Sequence, residues 1–130
     1  ELAFKLLNKS ASYGNPKAYY ALGTWYLYGK YVEKNLQKAI DYLKKSTQLK
    51  YPEAFYDLAV CYEEGVGVDE DLDKAFENYL QASLRGDIQS FYEVGRCYYY
   101  GIGVEEDKVL AEYWFERAEE LGIKEDEIDP

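Results

Sequence analysis

Hydrophobic positions in this chain recur on a helical period, and the whole pattern returns every 36 residues. Ala39, Tyr42, Leu43 and Ser46 stand at i, i+3, i+4 and i+7, and Ala111, Trp114, Phe115 and Ala118 repeat the spacing. At 3.6 residues per turn these positions make one apolar stripe of a helix. A second stripe, Ala54, Leu58, Cys61 and Tyr62, follows in the same unit and stops at Gly65. Asn35, Asp71 and Asp107 precede the first kind of helix, where a side-chain oxygen can accept from the unpaired N–H groups. Gly14, Gly86 and Gly122 close it, because glycine enters the left-handed region at little cost. Pro16 and Pro52 open the second kind, since a first helical residue needs no N–H, and Asp87 caps the third copy. No segment alternates in the way a strand requires.

The register is strict. Ala3, Ala39, Ala75 and Ala111 share one column; Tyr26, Tyr62 and Tyr98 another; Gly29, Gly65 and Gly101 a third; Val32, Val68 and Val104 a fourth. Three complete units are expected at 3–38, 39–74 and 75–110, with a half unit at 111–122 and an acidic tail at 123–130. Gly23, Ala59 and Gly95 form a small-residue column that lets a neighbouring helix approach. The valine column reads as a plug that tucks the loop onto the core.

These columns, Ala-x-x-aromatic-aromatic-x-x-Ala/Ser, then Gly, then Ala-x-x-x-Leu-Gly-x-x-Tyr-x-x-Gly-x-Gly-Val, resemble the Sel-one-like repeat, a relative of the tetratricopeptide repeat, over residues 3–122. Four positions depart from it. Tyr31 and Lys50 replace loop glycines, Ala59 replaces the Gly after Leu58, and Asn78 occupies an aromatic column; altered loop geometry is expected in the first two repeats. The resemblance implies an all-α, right-handed α-solenoid of antiparallel helix pairs that binds a protein or peptide on its concave side. It further implies that the first helix of each unit lines that side. With the unit opened at Ala3, the residues furthest from the packed stripe are the second and sixth after each opening Ala. They are Lys5, Asp41, Glu77 and Tyr113, then Lys9, Lys45, Gln81 and Arg117.

Composition narrows the chemistry. A net charge of -10 argues against nucleic acid, where Lys and Arg supply the affinity. With no His there is no imidazole base or ligand. The Gly65-x-Gly67 and Gly101-x-Gly103 loops follow helices and precede carboxylates, which disfavours a phosphate cradle. Asp69, Glu70, Asp71 and Asp73 lack the spacing of a calcium loop and instead favour a helix N-terminus. Cys61 and Cys97 are expected as free buried thiols, which leans towards a reducing, cytoplasmic setting. No catalytic residue, cofactor or metal is expected, and no segment is apolar enough to enter a membrane. The chain opens at Glu1 without Met and reads as a segment of a longer protein, monomeric by itself.

There are 16 tyrosines. The Tyr26 and Tyr20 columns recur in phase and read as packing. Tyr28, Tyr31, Tyr99, Tyr100 and Tyr113 have no such partners and suit an interface. The paired carboxylates read as solvated loop groups, Glu63 and Glu64 among them. The expected function is a protein-binding adaptor; the alternative is a spacer or self-associating segment, favoured by the apolar Leu2, Phe4 and Leu7 at one end.

Overall fold

A computed structural model describes residues 1–123. It is an all-α solenoid of seven helices: α1 (Leu2–Ser12), α2 (Pro16–Tyr28), α3 (Leu36–Gln48), α4 (Pro52–Glu64), α5 (Leu72–Leu84), α6 (Ile88–Tyr100) and α7 (Lys108–Glu120). Residues 124–130 of the expected acidic tail lie outside the described residues.

Local chemistry sets each boundary. Asn35, Asp71 and Asp107 accept from the backbone N–H of Lys38, Lys74 and Leu110, and so cap α3, α5 and α7. Asn15 and Asp87 do the same for α2 and α6. Helices α2, α4 and α6 end on Gly29, Gly65 and Gly101, all left-handed. The following loops return in one way. The N–H of each next cap, Asn35, Asp71 or Asp107, donates to the carbonyl of Tyr26, Tyr62 or Tyr98. The valine column packs against the core, as the plug reading expects.

Packing is tightest within the pairs α2/α3, α4/α5 and α6/α7. The small-residue column explains how these pairs close. A Cβ on Gly23 would stand 2.9 Å from Leu43, and one on Gly95 would stand 2.8 Å from the Phe115 ring. The alanine column fills the other side, with Ala39, Ala75 and Ala111 fully buried. Ala3, in the same column on α1, is exposed. Both cysteines are buried and free.

One expectation is corrected. Tyr31 and Lys50 do not alter the loops; they adopt the glycine conformation. Tyr31 has φ 68°, against 73° and 67° at Gly67 and Gly103, and Lys50 has φ 68° in a column whose glycines are also positive. A Cβ in this region costs roughly 1–2 kcal/mol. Lys50→Gly should therefore raise stability by about 0.5–1 kcal/mol, after glycine's larger unfolded-state entropy is subtracted. A urea midpoint that does not move would show that the strain is relieved elsewhere.

Candidate functional site

Two rows of helices present side chains to solvent. The row α1, α3, α5, α7 carries the eight residues singled out from the sequence. Lys5, Lys9, Asp41, Lys45, Glu77, Tyr113 and Arg117 are exposed, and Gln81 is partly buried. Four of them are held. Asp41 accepts from Gln37 Nε2. Lys45 lies over the Tyr19 and Tyr42 rings. Arg117 lies over Tyr113 and donates to Glu120.

The row α2, α4, α6 carries a polar ladder that the sequence reading missed. Tyr20 on α2 hydrogen-bonds the Asp57 carboxyl on α4. One repeat on, the Tyr56 hydroxyl donates to Glu93 on α6 at 3.5 Å. The signal in the sequence is a tyrosine followed 37 residues later by an acid, which a period-based reading of the Tyr20 column as packing does not use. Glu63 is likewise no solvated loop acid. It sits in α4, about a fifth exposed, and accepts two bonds from Arg96 on α6 at 2.6 and 3.0 Å. Arg96 Nε donates to Glu93 at 2.8 Å, and the Tyr79 hydroxyl donates to Glu63 at 2.9 Å.

A hollow opens between α2 and α4. It is lined by the Tyr28 and Tyr56 rings, by Leu27 and Val60, and by the charged Asp57, Glu64 and Lys34. Burial pushes the Asp57 carboxyl up to about 6, and the neighbouring charges of Asp87 and Glu53 add to the rise against the Tyr20 bond. Burial raises the Cys61 thiol to about 11 and Cys97 to about 12, so both stay protonated at neutral pH. Arg96 precedes Cys97 in the chain, but its guanidinium is engaged by the two glutamates.

Because its folded value is raised, Asp57 binds a proton more readily in the folded state. Stability should fall as pH rises from the ordinary carboxylate range through about 6. Asp57→Asn should add about 1–2 kcal/mol at pH 7, with the gain vanishing near pH 4. Equal urea midpoints for the two proteins at pH 7 would mean that the carboxylate is solvated.

Among the described residues no group of His, Cys, Asp and Glu is placed to hold a metal, and no helix is long and apolar enough to cross a membrane. What the arrangement offers is surface: two ordered rows of side chains on a stack of packed helices.

Comparison with known proteins agrees with that geometry. The Sel1 repeat model matches residues 16–51, 52–87 and 91–123. The fold is similar to a Sel1 repeat protein from Oxalobacter formigenes, with TM-score 0.87 and 34% identity over 94% of this chain and 92% of that one. It is similar to c5321, a protective antigen of uropathogenic Escherichia coli strains displaying an SLR fold, with TM-score 0.90 and 30% identity over 93% of this chain and 26% of that one. It is also similar to Helicobacter pylori cysteine rich protein B, with TM-score 0.72 and 31% identity over 95% and 92%. A comparison with curated proteins finds no match. The matched units open on α2 and α4 and, for the third, within α6, so each joins a helix pair that packs most tightly here. With nearly every helix inside a matched unit, the chain belongs to the Sel1 repeat family.

Proposed function

We propose that this chain is an adaptor that holds a protein or peptide on its concave face, and that α2, α4 and α6 line that face. Sel1 repeats are helical scaffolds for protein interaction, which supports the general reading. The observation that carries the choice of row is the direct bonding along it. In a bent stack, neighbouring helices come closest on the inner wall. Tyr20 to Asp57, Tyr56 to Glu93 and Arg96 to Glu63 each join successive helices of this row. The family unit also opens on this row, so the rule that leading helices face the partner points here. Lys5, Lys9, Asp41, Lys45, Glu77, Gln81, Tyr113 and Arg117 then lie on the trailing helices. Their exposure and their variation between repeats favour them as a second surface.

A peptide selected on the protein from a random library separates the two. Tyr28→Ala with Glu64→Lys should weaken binding about tenfold. Lys45→Glu with Arg117→Glu should change it less than about threefold. The reverse result moves the partner to the α1, α3, α5, α7 row, and no effect from either pair removes the groove reading. Of the residues expected to support the spacer reading, Phe4 and Leu7 pack against the chain's own core, while Leu2 is 71% exposed on α1, beside Leu6 at 58%. A concentration-dependent oligomer in light scattering, with no peptide selected, would support it instead.

A further inference from the structure

We propose that the hollow between α2 and α4 receives an arginine side chain of the partner protein, whose guanidinium pairs with Asp57 between the rings of Tyr28 and Tyr56. The proposal rests on the adaptor reading and names the chemistry its partner must bring.

The chain carries its own template for this site one repeat further on. Shifting by 36 residues maps Tyr20 onto Tyr56, Leu27 onto Glu63, Asp57 onto Glu93 and Val60 onto Arg96. In the later copy a guanidinium lies between the two carboxylates, bonded to both. The earlier copy keeps the half-buried carboxylate and the tyrosine hydroxyl bonded to it. It lacks the cation: Val60 stands where Arg96 should, and Leu27 where Glu63 should. Those two residues and Asp57 line the hollow. The opening therefore coincides with the place a guanidinium occupies in the next repeat.

The surroundings favour a cation from outside. The charged groups acting on Asp57 are Glu53 on its own helix and Asp87 at the start of α6, both of its own sign. Glu64 is a second carboxylate lining the hollow beside Asp57. Lys34, from the loop after α2, also lines it but is exposed and makes no ion pair with Asp57 or Glu64. The carboxyl of Asp57 lies well above its ordinary value, as expected where burial is met by no countercharge. Leu27 and Val60 give an alkyl stem something to pack on, and Tyr28 and Tyr56, which also line the hollow, are side chains that attract a cation. Arginine suits these walls better than lysine, because its guanidinium is planar, weakly hydrated and stacks on rings.

The test is a titration of the isotope-labelled protein with arginine amide, followed by amide NMR, with citrulline amide as the neutral isostere. Saturable shifts centred on Asp57, Val60 and Tyr28, absent with citrulline amide, are expected. Asp57→Asn should weaken the response about tenfold. Val60→Arg supplies the cation internally and should abolish the response while raising the melting temperature. Equal response to citrulline amide, shifts scattered over Asp69, Glu70, Asp71 and Asp73, or indifference to both substitutions overturns the proposal. A library-selected peptide that binds with no dependence on Asp57 also overturns it and leaves the adaptor reading standing. Arginine amide bound at Asp57 while no peptide is ever selected supports the cation site and removes the adaptor reading.

Discussion

Gly103→Ala is expected to destabilise the fold by about 3 kcal/mol, the sum of a left-handed alanine and a backbone collision. Gly103 has φ +67°, and a Cβ there would overlap the carbonyl oxygen of Leu72 at the start of α5 and stand 3.0 Å from the Phe76 Cβ. A carbonyl in the first turn of a helix cannot rotate aside without breaking that turn. The loop after α6 must therefore lift off α5, taking Ile102 and Val104 away from the core.

Gly101, two residues earlier, is the internal control. It is also left-handed, at φ +71°, but its added Cβ would meet nothing closer than 3.5 Å. Gly101→Ala should cost only about 1 kcal/mol, the conformational part alone. Gly67→Ala belongs between them, since its nearest obstacle is a side-chain carbon of Ile40 at 2.8 Å, which can give. In thermal unfolding the Gly103 variant should melt roughly 10 °C lower. If Gly101→Ala and Gly103→Ala melt together, the loop does not seat on α5. Leu36 faces Gly67 and Leu72 faces Gly103 at the same separation in sequence, so both loops seat on the helix one repeat before them.

The seven helices and their ends were legible because both depend on near neighbours. An Asn or Asp three residues before the N–H it accepts from, a glycine after the last turn, and a 3.6-residue stripe are local facts. The small column at Gly23 and Gly95 was legible too, since a repeat shows the same vacancy several times. The ladder along α2, α4 and α6 was not. Periodicity tells which stripe is buried, but it does not tell which polar flanks meet across neighbouring helices. Glu63 and Arg96 are not in one column; they pair because α4 and α6 lie side by side with those flanks apposed. The row that faces a partner was illegible for a different reason. A 36-residue period has no intrinsic beginning, so the choice of Ala3 as the opening residue also decided which helices counted as leading. The family unit opens instead at Pro16.

Arg96→Met should cost about 2–4 kcal/mol at pH 7, because it leaves two half-buried carboxylates without their cation. Arg96 is 22% exposed and its partners Glu63 and Glu93 are 21% and 19%, so the charges are only partly screened. Burial would raise the Glu63 carboxyl, but the Arg96 bonds and charge, with the Tyr79 hydroxyl, outweigh it and hold it below its ordinary value. That stability is present above the ordinary carboxylate value and is lost as pH falls through the depressed one. In the methionine variant burial is opposed only by the Tyr79 hydroxyl, Glu63 rises, and lowering the pH now relieves the fold. The two stability curves should therefore converge as pH falls from 7 towards 4. Glu63→Gln in the Arg96→Met background should recover most of the loss, since a neutral amide can still accept from Tyr79. A cost below about 0.5 kcal/mol, unchanged by pH, would reduce the network to an ordinary surface pair and remove the template on which the Asp57 hollow is read.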